Sequence, residues 1–253
     1  MPGKFNPVAR IKPMKPKMLW SALALVAASA LAAESSPKET VKSAAKKLAE
    51  QASYSWRTTV ESAGGGRFRM GPTEGKTEKG GFTCLTMTRG ENTFEAVLKG
   101  DQVAIKTDEG WQGMADLTGG GGGGPGNPAR FMARMLQNYK TPAAELEELL
   151  GKVSELKPSG DAYTGELTED GAKSLLTFGR RPGGGEGPAV SGAKGSVQIW
   201  LKDGLPVKYT VHVLGTVTFN NNDMSVDRTT TTEIKDVGRT KVEVPAEAKQ
   251  KLS

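Results

Sequence analysis

Residues 195–213 read Gly195-Ser-Val-Gln-Ile-Trp200-Leu-Lys-Asp-Gly204-Leu-Pro206-Val-Lys208-Tyr-Thr-Val-His-Val213. Val197, Ile199 and Leu201 alternate with polar or larger partners, the period of two that puts one face of a strand on a core. Asp203-Gly204 is a dipeptide that suits a two-residue hairpin turn, because both central residues must take positive φ. Val207, Tyr209, Val211 and Val213 then return with the same alternation. This is the clearest hairpin in the chain, and the rest is read outward from it.

Toward the N-terminus the same period recurs. Tyr54, Trp56, Thr58 and Val60 alternate with Ser55, Arg57 and Thr59. Strands are expected at 67–70, 75–79, 82–88, 92–98, 102–107 and 111–114. Glycine-bearing turns separate them at 64–66, 80–81, 89–90, 99–101 and 109–110. Spacing this tight demands an antiparallel meander, since parallel strands need long crossovers. Ahead of it, Ser36 and Glu39 form a capping box with Pro37 at the first helical position. Val41, Ala44, Ala45, Leu48 and Ala52 share one face of the helix expected over 36–52. Glycine-rich loops are expected at 119–126 and 182–195. Between them, Asn127-Pro128 and Thr141-Pro142 open helices over 128–139 and 142–150, and a strand near 161–167 runs into a helix from Thr168 to about Leu176. Strands near 225–236 and 240–244 complete an α+β chain with a large antiparallel sheet.

The chain has 253 residues, with 34 Lys+Arg against 28 Asp+Glu. Five of the basic residues (Lys4, Arg10, Lys12, Lys15, Lys17) fall in the first 33, which hold no acid, so 29 face 28 in the remainder. The basic excess belongs to a leader, and a nucleic-acid partner loses its electrostatic support. Met18 to Ala33, MLWSALALVAASALAA, is an apolar run behind Lys15 and Lys17 that ends in small residues, the pattern of a secretory signal peptide. Ala30-Leu31-Ala32 offers a cleavage site, so residues 1–33 are expected to leave and 34–253 to form a single domain. Met14 offers a second start. At about 16 residues the run is short for a membrane span. The expected location is the periplasm or another exported site in a bacterial envelope, with the chain soluble after cleavage.

Little in the chain points to chemistry. One His and one Cys exclude a Cys/His zinc site and an internal disulfide, and no metal, cofactor or catalytic residue is expected. Gly71-Pro-Thr-Glu-Gly75-Lys76-Thr77 fails the phosphate-loop spacing and reads as a polar hairpin. His212 reads as an ordinary strand histidine, and Cys84 as a buried, inert thiol. Glu145, Glu147 and Glu148 read as one solvated helix face. The apolar and aromatic residues, Tyr54, Trp56, Phe82, Phe94, Ile105, Trp111, Phe131, Met132, Met135 and Trp200, read as core. With aromatics at 6%, a sheet this extensive either packs around a cavity or curls tightly, and the residues alone allow both.

The order of elements resembles the LolA-like superfamily, which includes periplasmic lipoprotein carriers and the LppX/LprG lipoproteins. The resemblance rests on the leading helix before Tyr54-Ser-Trp56, and on Tyr163-Thr-Gly165-Glu-Leu167-Thr168 running into a short helix. It rests also on the 195–208 hairpin and the closing Val242-Glu-Val244-Pro245. It covers most of 36–250, although the family's lipid-anchor cysteine is missing. The resemblance implies an incomplete antiparallel barrel whose open side is covered by helices, with a lipid or acyl chain held between them. The helices at 128–150 would be the lid. Tyr54, Trp56, Phe94, Ile105, Phe131, Met132, Met135, Leu136 and Tyr209 would line the site. A non-enzymatic monomer that binds a lipid, an acyl chain or an acylated lipoprotein is therefore expected. The alternative is an envelope sensor of the same fold that recognises a protein partner and carries no lipid.

Overall fold

A computed structural model describes residues 3, 36–63, 70–90, 92–118, 128–177, 188–219 and 222–252. The expected leader, the turn at 64–66, the glycine run at 119–126 and residues 182–187 lie outside the described residues. The chain divides into two compact units, Met1–Glu34 and Ser35–Ser253, and every named element belongs to the second.

Helix α1 (Pro37–Ala49) precedes a meander of β1 (Ser53–Ser62), β2 (Met70–Glu78), β3 (Thr83–Arg89), β4 (Asn92–Lys99), β5 (Gln102–Thr107) and β6 (Gly110–Gly113). Three helices follow, α2 (Met114–Thr118), α3 (Pro128–Leu136) and α4 (Pro142–Lys152). Then come β7 (Lys157–Ser159), β8 (Ala162–Glu166), α5 (Glu169–Leu176), the long strands β9 (Ala189–Lys202), β10 (Leu205–Phe219) and β11 (Asn222–Lys235), and α6 (Ala246–Gln250).

The strands make one antiparallel sheet in the order β6-β5-β4-β3-β2-β1-β11-β10-β9-β8-β7. It is open, with β6 and β7 as its edges, so the fold is the α+β incomplete barrel expected. The first strand pairs with the last: Trp56 lies opposite Ile234 and Thr58 opposite Thr232. That ladder joins an N-terminal meander to a C-terminal one. Between β6 and β7 in sequence, α2 and α3 pack near β5 and β6, and α4 packs on α1 and α5. Helices α1 and α5 lie on β9 and β10.

The decisive hairpin forms as read. Asp203 and Gly204 take φ of 54° and 74°, the positive pair that a type I′ turn needs. Capping of α1 is also as expected, with Ser36 Oγ accepting from the Glu39 N–H at 3.3 Å. Four expectations change. Gly71–Thr77 is not a hairpin but part of continuous β2, whose register shifts between Met70 and Thr73. Residues 189–195 of the expected loop are strand. The shift opposite Leu214 and Thr216 lets that glycine-rich segment stay paired, with Gly192 at φ 63°. Residues 240–244 form no strand; the segment crosses the sheet face away from the larger helices, where Val244 and α6 pack on Val97, Ala104 and Trp111. Cys84 is only partly buried in that second cluster, and burial pushes its thiol pKa upward.

The main core lies between the helices and the sheet. It holds Val41, Ala45 and Leu48 of α1, Leu146, Leu149 and Leu150 of α4, and the inward residues of nearly every long strand. Gly75 is required there. It sits opposite Trp56, and a Cβ on it would lie 2.0 Å from Trp56 Cζ2.

Candidate functional site

Strand pairing sets a row of side chains across the helix-covered face. Ile199 lies opposite Tyr209, Tyr209 opposite Thr232, and Thr232 opposite Thr58. Thr58 then faces Thr73, Thr73 faces Met87, and Met87 faces Phe94. Large residues thus flank three consecutive threonines in mid-row. A threonine fills less of the space beneath the helices than the Tyr or Met beside it. An open cleft of about 550 Å³ lies over two of them, Thr58 and Thr73, beside α3 and α4, while Thr232 is fully buried. Thr58, Thr73 and Met87 form its floor, with Met135, Leu136, Tyr139, Leu149 and Leu175 as apolar walls. Asn138, Lys140, Glu145, Glu148 and Lys152 complete the lining.

The helices above are pinned by hydrogen bonds. Trp56 Nε1 donates to Tyr139 Oη at 3.2 Å, and the two rings stack with centroids 6.5 Å apart. The Tyr54 hydroxyl meets the Thr141 side chain and the Ala143 backbone where α4 begins. Tyr209 donates to the Glu145 carboxylate on α4, and its hydroxyl also meets Thr232, which is linked to Thr58 at 2.9 Å. Burial pushes all three tyrosines above their usual range, so they remain neutral donors or acceptors. Glu145 is raised chiefly by burial, against the hydrogen bond from Tyr209. It is not on the solvated face expected from sequence. Glu148 is, and Lys140 and Lys152 hold its carboxyl below the usual range; the Lys152 contact is 2.7 Å. The cleft therefore carries Lys140, Glu148 and Lys152 at its rim, and apolar side chains, two threonines and the buried Glu145 carboxyl within.

Of the nine residues singled out by the resemblance, Tyr54, Trp56, Ile105, Met132, Leu136 and Tyr209 are buried in the main core. Phe94 packs partly against it. Met135 and Leu136 border the cleft. Phe131 is 66% exposed and Met135 43% exposed, both on the outer side of α3. Sequence reasoning missed Thr73, Thr232 and Glu145. The run Thr229-Thr-Thr-Thr232 was a usable signal, because alternation there must place small polar groups on an otherwise apolar face.

A second groove of about 770 Å³ lies on the other side of the sheet, between β1–β3 and residues 235–243. Its lining is largely charged, Arg57, Glu74, Lys76, Arg239 and Lys241 among it, and Arg57 is paired with Glu74 at 2.5 Å. It offers little apolar surface, so the smaller cleft is the better candidate for an acyl ligand. Among the described residues there is no group of His, Cys, Asp or Glu able to hold a metal ion.

Solved structures with a similar arrangement include the lipoprotein LppX of Mycobacterium tuberculosis, at 10% identity and a TM-score of 0.46. That likeness spans 82% of this chain and 97% of LppX. LprF from Mycobacterium bovis is similar at 9% identity and a TM-score of 0.45, over 83% of this chain and 96% of its own. A LolA superfamily protein from Nitrosomonas europaea is similar at 9% identity and 0.33, over 82% and 95%. No protein-family model and no curated protein matches the chain.

Proposed function

We propose that this chain is an exported, non-enzymatic binding protein that holds an acyl chain, from a lipid or an acylated lipoprotein, in the cleft under α3 and α4. The observation that carries this reading is the cleft itself, an apolar hollow of about 550 Å³ with a charged rim. Its volume falls inside the roughly 300–1,000 Å³ typical of ligand pockets. The threonine floor supplies room without a charged group beneath the chain, and Lys140 and Lys152 at the rim suit a polar or anionic head.

The energetics are adequate. A chain of about 14 carbons offers roughly 11 kcal/mol at ~0.8 kcal/mol per buried methylene. Ordering the ligand removes several kcal/mol of that, leaving a dissociation constant on the order of micromolar. No catalytic group is needed for such a task.

Titration with a fluorescent acyl probe, dansyl-undecanoic acid, tests the site. Binding should saturate, be displaced by unlabelled fatty acid, and fall at least ten-fold in Thr58→Phe, which fills the floor. Thr59→Phe, on the opposite face of the same strand, should bind as the parent does. Equal binding by parent and Thr58→Phe would place the ligand elsewhere.

A further inference from the structure

Helix α3 is apolar on two sides. Its inner row, Met132, Ala133 and Leu136, is buried against the sheet. Its outer row carries Phe131, Arg134 and Met135, a spacing of three and four that makes one continuous face. Among the described residues only three large apolar side chains are exposed, and two of them, Phe131 and Met135, are neighbours here. Paired exposed apolar residues on one turn mark a contact surface more often than a single one does. Within this segment the charged side chains have one sign: residues 128–140 contain Arg130, Arg134 and Lys140 and no acid, while Glu145 and Glu148 of α4 line the cleft on the Met135 side. Lys140 is paired with Glu148 on α4, while Arg134 is exposed on the same face as the apolar pair. Met135 also forms part of the cleft wall.

We propose that this outer face of α3 docks on an anionic phospholipid surface. Phe131 and Met135 would enter the boundary between headgroups and acyl chains, and Arg134 would sit at headgroup level. A short helix with an apolar strip flanked by cations binds membranes in this way, through buried apolar area and attraction to anionic lipid together. Because Met135 belongs to both the docking face and the cleft, docking sets the mouth of the cleft at the bilayer, where an acyl chain could pass with little exposure to water. The exposed Arg134 beside the apolar pair, and the absence of acids along 128–140, complement an anionic surface. The proposal does not require the cleft to hold lipid.

Vesicle flotation tests it, using the chain from Glu34 so that the apolar leader contributes nothing. Vesicles of equal phosphatidylglycerol and phosphatidylcholine should carry the protein at low salt, and pure phosphatidylcholine should not. Phe131→Ser with Met135→Ser should reduce the bound fraction ten-fold or more, with an unchanged thermal melt because both residues are exposed. Arg134→Gln should weaken binding about five-fold. Thr58→Phe, which blocks the cleft, should float as the parent does, so docking and cargo binding can fail separately. No flotation, equal flotation with both lipids, or an unaffected serine double variant would overturn the proposal. So would loss of flotation in Thr58→Phe alone, which would make the association cargo exchange.

Discussion

Glu145 carries the sharpest consequence of the buried polar contacts. Burial raises its pKa above the ordinary 4.5, the Tyr209 hydrogen bond and Lys152 pull it down, and Glu148 pushes it up. A carboxyl raised in the folded state is fully compatible with folding below its unfolded value, and stability is lost as pH rises through the folded one. Glu145→Gln keeps an acceptor for Tyr209 without the charge. It should raise the melting temperature at about pH 8 and leave it nearly unchanged at about pH 4; a lower melting temperature at about pH 8 would contradict this. Gly75→Ala should cost about 1–3 kcal/mol in denaturant melts, since its Cβ would overlap the buried Trp56 indole. At this scale the sequence was informative about which residues are apolar and weakly informative about where polar ones point. Ser36 capped its helix because a cap is a local event. Glu145 and Glu148 share a helix, and only the tertiary position of α4 decides that one meets Tyr209 and the other Lys140.

Local patterns were the most legible at the scale of elements. Alternation located β1, β3–β5 and the β9–β10 hairpin, and Pro after a cap residue located α3 and α4. The short pieces were harder: α2 and β7 have five and three residues, too few for a period to show. Strand β2 was split in the reading because Gly71 and Pro72 look like a turn, yet the strand passes through them with a register shift. The cohesion of the helical cover is itself testable. Tyr139→Phe removes the acceptor for Trp56 Nε1 and leaves a buried donor unpaired, at a cost of about 1–3 kcal/mol. Hydrogen exchange should quicken in α3 and α4, while β9 and β10 stay protected. Uniform quickening across the sheet would mean that the lid and the sheet open together.

For the molecule as a whole, the resemblance supplied the open sheet with helices across one face, and periodicity alone could not. Pairing of β1 with β11 joins residues about 175 apart in sequence, and no local signal records such a ladder. Packing of the C-terminal segment on the other face was equally invisible, since Ala248 and Leu252 gain meaning only beside Val97 and Trp111. Leu252→Ala should therefore destabilise the fold by roughly 2–5 kcal/mol in thermal or denaturant unfolding, and a change below about 0.5 kcal/mol would show the segment to be loosely held. The cleft follows from the same long-range arrangement, because Thr58 and Thr73 meet Met135, Leu149 and Leu175 only once β1 and β2 pair and the helices cover them. Native mass spectrometry of the protein purified from its own cells, with organic extraction of whatever is bound, reads the occupant of the cleft directly. The expected result is an added mass matching a lipid or acyl species, absent from Thr58→Phe. A bare protein mass that persists after incubation with mixed lipids would contradict it.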